Sequence, residues 1–368
     1  MKDIINQIVW YIPFKKLRNN IRLFLLKLIE LLENKKYPDD FYRHENYYFL
    51  NYFKEKLEDK NFFNIEIYKK LIKNLDEDSI GTINKIISKI QKMNYNEDTF
   101  FDKTEISKIM PIIREHRSKI IKINDRCYSF NGYFLPFDMF SIDIFSDKFK
   151  FDILNRNKGY LKNKNIIDAG AFIGDTAIIF SNYTNKNVYS FEPLSGNYKL
   201  LLETIDLNQK INIIPSQLAL SNKEGYAVIS SYASELAGGS SINRIVGDFK
   251  ETIKVNTLDN FVKENGIKEI GLIKIDIEGS EEDFLLGAEN TIKKQKPILF
   301  ISIYHNPKHF FYIKLLLESW QLGYEFKIIK PMEASVLIET TLICEAEQSR
   351  AEQSRAEQSR AEQSMHNI

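Results

Sequence analysis

Two stretches of the chain concentrate residues that could do chemistry. In Leu272-Ile-Lys-Ile-Asp-Ile-Glu-Gly-Ser-Glu281, the charged Lys274, Asp276 and Glu278 alternate with isoleucines. That alternation predicts a strand with all three charges on one face. Charges flanked by Ile273, Ile275 and Ile277 are costly to bury unless they are paired or put to use. They form either an ion pair between Lys274 and a carboxylate or a reaction centre in which Asp276 and Glu278 face a substrate. His305 follows a later apolar run, and its imidazole could take a proton from a hydroxyl near neutral pH. Asp276 is the second candidate base. No metal is expected, and Asp276 with Glu278 is the pair that would hold Mg²⁺ if the chemistry were metal-dependent.

The second stretch is Asn165-Ile-Ile-Asp-Ala-Gly-Ala-Phe-Ile-Gly174. A buried-type strand ends in Asp168, a G-x-x-x-G turn follows, and a helical run from Asp175 to Tyr183 begins, with Asp175 placed to cap it. Gly170 can adopt angles closed to other residues and lets a ligand lie against the turn. A dinucleotide fingerprint needs a middle glycine for its pyrophosphate, and here Phe172 stands at that position. The turn also holds no lysine for a phosphate. S-adenosylmethionine has no phosphate and carries a sulfonium and an ammonium, so Asp168 suits its aminoacyl end. Glu192 ends the next strand, where its carboxylate can accept both ribose hydroxyls at ~1.5–3 kcal/mol each, and Asn197 is placed to cap the following helix. The expected cofactor set is Asp168, Gly170, Phe172, Gly174, Glu192 and Asp276. Glu278, Ser240 and Ser241 are expected on the acceptor side.

These residues need a sheet to hold them. After Tyr160, β-rich runs (Asn165 to Ala169, Val188 to Phe191, Ile211 to Ile214, Leu272 to Ile277, Pro297 to Tyr304) alternate with helical ones, which predicts an α/β fold with a mostly parallel sheet. Glu325 to Ile329 and Val336 to Cys344 lie too close for a crossover helix and predict an antiparallel C-terminal hairpin. The α/β domain so outlined covers 161–345. Before it, 37–122 reads as a helical domain, with Ile83, Ile86, Ile87 and Ile90 at helical spacing and Asp78 or Ser79 as its cap. Residues 123–160 read as a hairpin turning at Asn131-Gly132 and a linker.

Residues 1–36 carry eight Lys/Arg against three Asp/Glu in an amphipathic pattern, suited either to an anionic lipid surface or to packing on the protein. Residues 346–368 are mostly repeats of Ala-Glu-Gln-Ser-Arg and can supply no core.

Composition excludes several classes. The 51 basic residues nearly cancel the 50 acidic ones, so no global field points to nucleic acid. Cys127 and Cys344 stand far apart with no ligand spacing, against a disulfide framework or zinc site. Neither a signal peptide nor a membrane span is recognisable, and the expected location is cytoplasmic, with residues 1–36 as the candidate for peripheral membrane contact.

The chain resembles the FkbM family of methyltransferases. The resemblance is carried by Ile-Asp-Ala-Gly-Ala-Phe-Ile-Gly-Asp175, Phe-Glu-Pro193, Gly-Gly-Ser-Ser241, Asn-Thr-Leu-Asp259 and Lys-Ile-Asp-Ile-Glu-Gly-Ser-Glu281, in the family's order, and covers roughly Tyr160 to Glu345. It implies a Rossmann-like class I methyltransferase sheet, with Asp168, Gly170 and Glu192 at S-adenosyl-L-methionine and Asp276 and Glu278 near the acceptor. It also implies O-methylation, which in this family falls mostly on sugars, polysaccharides and natural products; the repeat tail and the N-terminal stretch around Trp10 direct that expectation to a surface glycan or its precursor. Many members carry a carboxylate near the end of the fifth strand, where this chain has Ser302. The stretch Trp10-Tyr-Ile-Pro-Phe-Lys-Lys-Leu-Arg18 resembles N-terminal segments of bacterial surface-glycan glycosyltransferases.

Two other classes compete. A nicotinamide-dependent sugar oxidoreductase would use Tyr304 and Lys308 as a Tyr-x-x-x-Lys pair, but Pro307 lies between them. A catalytically silent glycan-binding or scaffold protein would have no need of acids at Asp168, Glu192 and Asp276. The repeat adds a separate expectation: GCAGA written three times translates as Ala-Glu-Gln-Ser-Arg. Coding DNA built from that pentanucleotide, without mixed synonymous codons, is the expected result of sequencing the tract.

Overall fold

The computed structural model describes residues 50–93, 103–145, 150–231, 249–330, 335–347, 349 and 351, all within the compact unit Leu50–Ile368. The expectations for residues 1–36, for Ser240 and Ser241 and for nearly all of the repeat tail lie outside the described residues.

Continuous apolar runs bounded by helices call for strands buried on both faces, and the central sheet is built from such runs. Among the described residues it has seven strands, β4 (Asn165–Ala169), β5 (Val188–Phe191), β6 (Ile213–Ser216), β10 (Ile270–Ile275), β11 (Ile298–Ser302), β12 (Glu325–Ile329) and β13 (Thr341–Glu345). Their order is β12-β13-β11-β10-β4-β5-β6. β13 runs antiparallel to both of its neighbours, and the other adjacent pairs are parallel. The C-terminal hairpin is therefore present, with β13 inserted between β11 and β12.

Alternation along each strand sends side chains to two separate cores. Ile167, Ile273, Ile275, Leu299 and Ile301 enter one, while Ile166, Leu272, Ile298 and Phe300 enter the other. The N-terminal helices supply much of the first core, through Phe53, Leu71, Ile83, Ile86 and Ile90. The helix Glu77–Lys92 also closes the free edge of β12, because Ser79 Oγ accepts the Ile328 N–H at 2.9 Å. Edge strands expose unpaired backbone groups, and this contact removes one of them. The helix cap is Asp76, whose carboxylate accepts the Ser79 N–H, instead of Asp78 or Ser79.

A small antiparallel sheet, β1 (Ile121–Asn124), β2 (Cys127–Phe130) and β3 (Tyr133–Leu135), comes before the central sheet in the chain. Its second turn is Asn131-Gly132, with φ of 49° and 83°. Those left-handed angles at both central residues are what an Asn-Gly hairpin supplies. A third sheet, β7 (Ala219–Leu220), β8 (Gly225–Ser231) and β9 (Phe249–Asn256), follows β6 and was not expected from the sequence pattern.

Two strand ends shape the ligand edge. β10 stops at Ile275 and β11 at Ser302, each two residues earlier than the apolar runs predict. Residues 276–279 and 303–306 are thereby released as turns at the carboxyl edge of the sheet, the edge where open α/β sheets bind ligands. No helix among the described residues is long and apolar enough to cross a membrane.

The turn after β7 packs against the end of the helix Glu281–Gly287, where a Cβ on Gly287 would lie 1.9 Å from the Ser221 carbonyl oxygen. Backbone cannot yield as a flexible side chain does. Gly287→Ala should cost about 3 kcal/mol, read as a lower urea midpoint with unchanged slope.

Candidate active site

The turn after β4 is shaped by contacts beneath it. Asp168 is fully buried, its Oδ2 accepts the Thr176 hydroxyl at 2.8 Å, and its Oδ1 lies 3.3 Å from Lys274 Nζ on the neighbouring strand. The same ammonium donates to the Gly170 carbonyl at 2.5 Å. Burial pushes the Asp168 carboxyl above its ordinary range, against the pull of Lys274 and Thr176. Burial alone would lower Lys274, but Asp168, Asp276 and Asp175 outweigh it and raise its pKa. Asp168 thus supports the turn from below, through Thr176 and Lys274.

Gly170 has φ of 77°, and a Cβ there would stand 1.8 Å from the Asp276 carbonyl oxygen. The absence of a side chain here lets the turn lie directly against the β10 turn. Phe172, with φ of 47°, donates its N–H to Glu192 Oε2 at 3.1 Å. Gly174 is itself the N-cap of the helix Asp175–Phe180, in a left-handed conformation. Asp175, expected to cap it, is the first helical residue, and its Oδ1 accepts the Thr176 N–H.

Glu192, buried just past β5, also accepts the Leu194 N–H at 3.0 Å and the Asn197 side-chain amide at 3.3 Å. Asn197 braces Glu192 and does not cap the helix Ser195–Leu207. The N–H of Ser195 is instead satisfied by Glu251 of β9. Three donors leave the carboxylate about one of its ~four acceptor positions for a ligand. Burial pushes Glu192 and Asp175 up to about 7.

Past β10 the backbone leaves the strand, with φ of 56° at Glu278 and 100° at Gly279. The three charges therefore do not line one strand face. Lys274 turns to Asp168, while Asp276 and Glu278 meet His305, whose Nε2 lies 3.6 Å from Asp276 Oδ1 and 3.3 Å from Glu278 Oε2. His305 Nδ1 is 2.8 Å from Oε1 of the buried Glu281, and His309 Nδ1 is 2.8 Å from its Oε2. Burial would lower the His305 pKa, but Glu281, Glu278 and Asp276 raise it to about 10. His305 is thus held between the buried Glu281 and the two acids of the β10 turn.

Ligand atoms of Asp276, Glu281 and His305 lie within 4.8 Å of one another, a spacing compact enough for a metal ion. Ser302 ends β11 as a buried residue. Tyr304 precedes the helix Pro307–Ser319 and Lys308 pairs with Glu282, so they form no Tyr-x-x-x-Lys pair on a helix.

Sequence reasoning missed Glu281, His309 and Glu339. Glu281 closes the same charged motif as Asp276, and the spacing of His305 and His309 around a helix start was a readable signal. Glu339 gave none. It lies in the loop before β13, with φ of 68°, and its charge acts on Asp175 and Tyr304.

The sequence model described as the Methyltransferase FkbM domain matches residues 168–356. A curated relative, "Hexuronic acid methyltransferase AglP" of Haloferax volcanii, is 30% identical over 126 residues, which cover 34% of this chain and 50% of the relative. The chain thus matches half the length of that relative. Among solved structures, methyltransferase FkbM from Methylobacillus flagellatus is similar with TM-score 0.49 and 17% identity, covering 80% of this chain and 62% of that one. An rRNA methylase from Streptococcus thermophilus has TM-score 0.34 and 14% identity, covering 53% and 95%.

The buried acids carry a pH signature. A carboxyl with a raised folded pKa contributes stability that is complete below its unfolded pKa and lost as pH rises through the folded value. For Glu192 that window runs from 4.5 to about 7. Glu192→Gln should therefore shrink the stability lost by the ligand-free protein between about pH 5 and about pH 8 by ~3 kcal/mol, measured by urea unfolding at both values.

Proposed function

The chain belongs to the FkbM family of methyltransferases, and on that premise we propose that it transfers a methyl group from S-adenosylmethionine to a sugar hydroxyl. The observation that carries this reading is the excess of carboxylates around the β4 and β10 turns: Asp168, Asp175, Glu192, Asp276, Glu278 and Glu339 against the internal cations Lys274 and His305. Such a place favours a ligand with positive charge. It disfavours a pyrophosphate, because Phe172 occupies the turn and Lys274 is already engaged below it.

Bound there, S-adenosylmethionine would supply an electrophilic methyl on its sulfonium. The main-chain turn at Gly170, Phe172 and Gly174 would line its site, Glu192 would accept a ribose hydroxyl, and Asp168 would hold the turn in shape. Methyl transfer gains most of its acceleration from alignment of the reacting atoms, which here falls to the turn that carries Asp276 and Glu278. Asp276 accepts the proton of the acceptor hydroxyl, a role worth ~10²–10⁴-fold. Glu278 binds a second hydroxyl of the same sugar. The hexuronic acid named for the curated relative and the glycosyltransferase-like segment near Trp10 support a glycan acceptor.

Calorimetric titration separates this reading from its rivals. Heat with S-adenosylmethionine and none with NAD is expected; heat with NAD alone, or with neither, would overturn it. Glu192→Ala should weaken S-adenosylmethionine at least ~10-fold. Asp276→Asn should lower methyl transfer to uronic acid glycosides ~100-fold or more while leaving cofactor affinity in the same range.

A further inference from the structure

The two nitrogens of the His305 ring keep different distances from the acids around them. Nδ1 lies 2.8 Å from Glu281 Oε1, a charge-assisted hydrogen-bond length, whereas Nε2 lies 3.3 Å from Glu278 Oε2 and 3.6 Å from Asp276 Oδ1. The last two distances are longer than such bonds. They match the spacing of neighbouring ligands on one ion, since donors ~2.1 Å from a cation and at right angles stand ~3 Å apart, and wider when the geometry opens.

A separate device delivers each donor. Glu281, wholly buried, also accepts the N–H groups of Ile277 at 3.1 Å and Gly279 at 3.2 Å, so one carboxylate orients the ring and shapes the turn on both sides of Glu278. A carboxylate behind one histidine nitrogen is the arrangement that aims the other nitrogen at a metal. Of the compact group Asp276, Glu281 and His305, Glu281 therefore stands behind the ring and not on the ion. The ring is 2% exposed, while the side chains of Asp276 and Glu278 are 23% and 29% exposed. A buried nitrogen and two half-buried carboxylates leave the outer coordination positions to water or substrate.

We propose that Asp276, Glu278 and His305 bind a divalent cation of the Mg²⁺ or Mn²⁺ class, which holds the acceptor hydroxyl beside the methyl donor. This rests on the reading of Asp276 and Glu278 as acceptor-facing, and it departs from the sequence reading, which expected no metal. Two carboxylates and an imidazole are donors such an ion accepts, and its charge answers the excess of carboxylates at this edge. Binding displaces the proton that the same acids draw to the ring. In the transfer, the acceptor oxygen held by the ion attacks the methyl carbon as the carbon–sulfur bond breaks. The sulfonium becomes a neutral thioether, and the hydroxyl proton passes to the Asp276 oxygen that does not bind the ion. The ion leaves the step unchanged.

The probe is Mn²⁺ itself, titrated into the full-length protein after chelator treatment and followed by electron paramagnetic resonance. A single tightly held ion per chain is expected, with a ¹⁴N coupling in the pulsed spectrum that disappears in His305→Gln. Asp276→Asn and Glu278→Gln should each weaken Mn²⁺ at least ~10-fold, and Glu281→Gln ~10–100-fold through the ring it orients. Glu282→Gln, in the neighbouring surface pair with Lys308, should leave the affinity as it is. Mn²⁺ that does not bind, binds without the nitrogen coupling, or binds His305→Gln equally well overturns the proposal. Should Glu281→Gln fail to fold, the wild-type coupling and the Glu278→Gln affinity decide. Removing the ion should lower methyl transfer to uronic acid glycosides at least ~10-fold, with recovery on adding Mn²⁺; a rate indifferent to chelator overturns the ion's part in the reaction. S-adenosylmethionine is titrated separately into the chelator-treated protein. Failure of that binding would overturn the methyltransferase reading, while the Mn²⁺ titration still reports on the metal site.

Discussion

The Lys274 ammonium is the joint on which both halves of the site depend. It rises from the middle of the sheet, where β10 lies beside β4 with Lys274 opposite Asp168, and it bonds to the carbonyl of Gly170 as well as to that carboxylate. The turn proposed to hold the cofactor is thereby fastened to the strand that leads into Asp276 and Glu278, the acids proposed to face the acceptor. Pairs this deeply buried contribute modestly as pairs, but removing one partner strands the other charge at a cost of ~3–5 kcal/mol. Gly170 completes the joint, since any Cβ would collide with the Asp276 carbonyl. The two turns are in backbone contact, so a displacement of either moves the other.

Charge is arranged in two tiers above this joint. In the lower tier, each buried carboxylate has a partner, Asp168 in Lys274 and Glu281 in the His305 and His309 rings. In the upper tier, Asp175 and Glu192 form no ion pair among the described residues, and burial drives both acids toward protonation. A site in that condition gains from a positively charged ligand, which would restore the ionised carboxylates. The paired lower tier keeps the frame rigid while the upper one stays responsive.

The frame is broader than the catalytic sheet. Helices from Leu50 onward share a core with that sheet and cover the edge of β12. β12 flanks β13, and the loop preceding β13 carries Glu339 to the ligand edge. The N-terminal helices therefore support, through β12, one wall of the site.

Periodicity and spacing by themselves determined the doubly covered parallel sheet, its antiparallel C-terminal strand, the Asn131-Gly132 turn and the concentration of acids near Asp168, Glu192 and Asp276. These are local properties, set by side-chain alternation and by glycines that only certain turns require. Pairing across the sheet was not legible, because nothing local says that Lys274 lies beside Asp168 or that Ser79 reaches Ile328. The third sheet escaped notice for a similar reason: β8 leaves Tyr226 and Val228 exposed and has no continuous buried run. The surroundings of His305 were decided only by tertiary structure. A histidine after a strand reads as a group standing alone, and only folding gathers three carboxylates, from the β10 turn and the helix after it, around one buried ring.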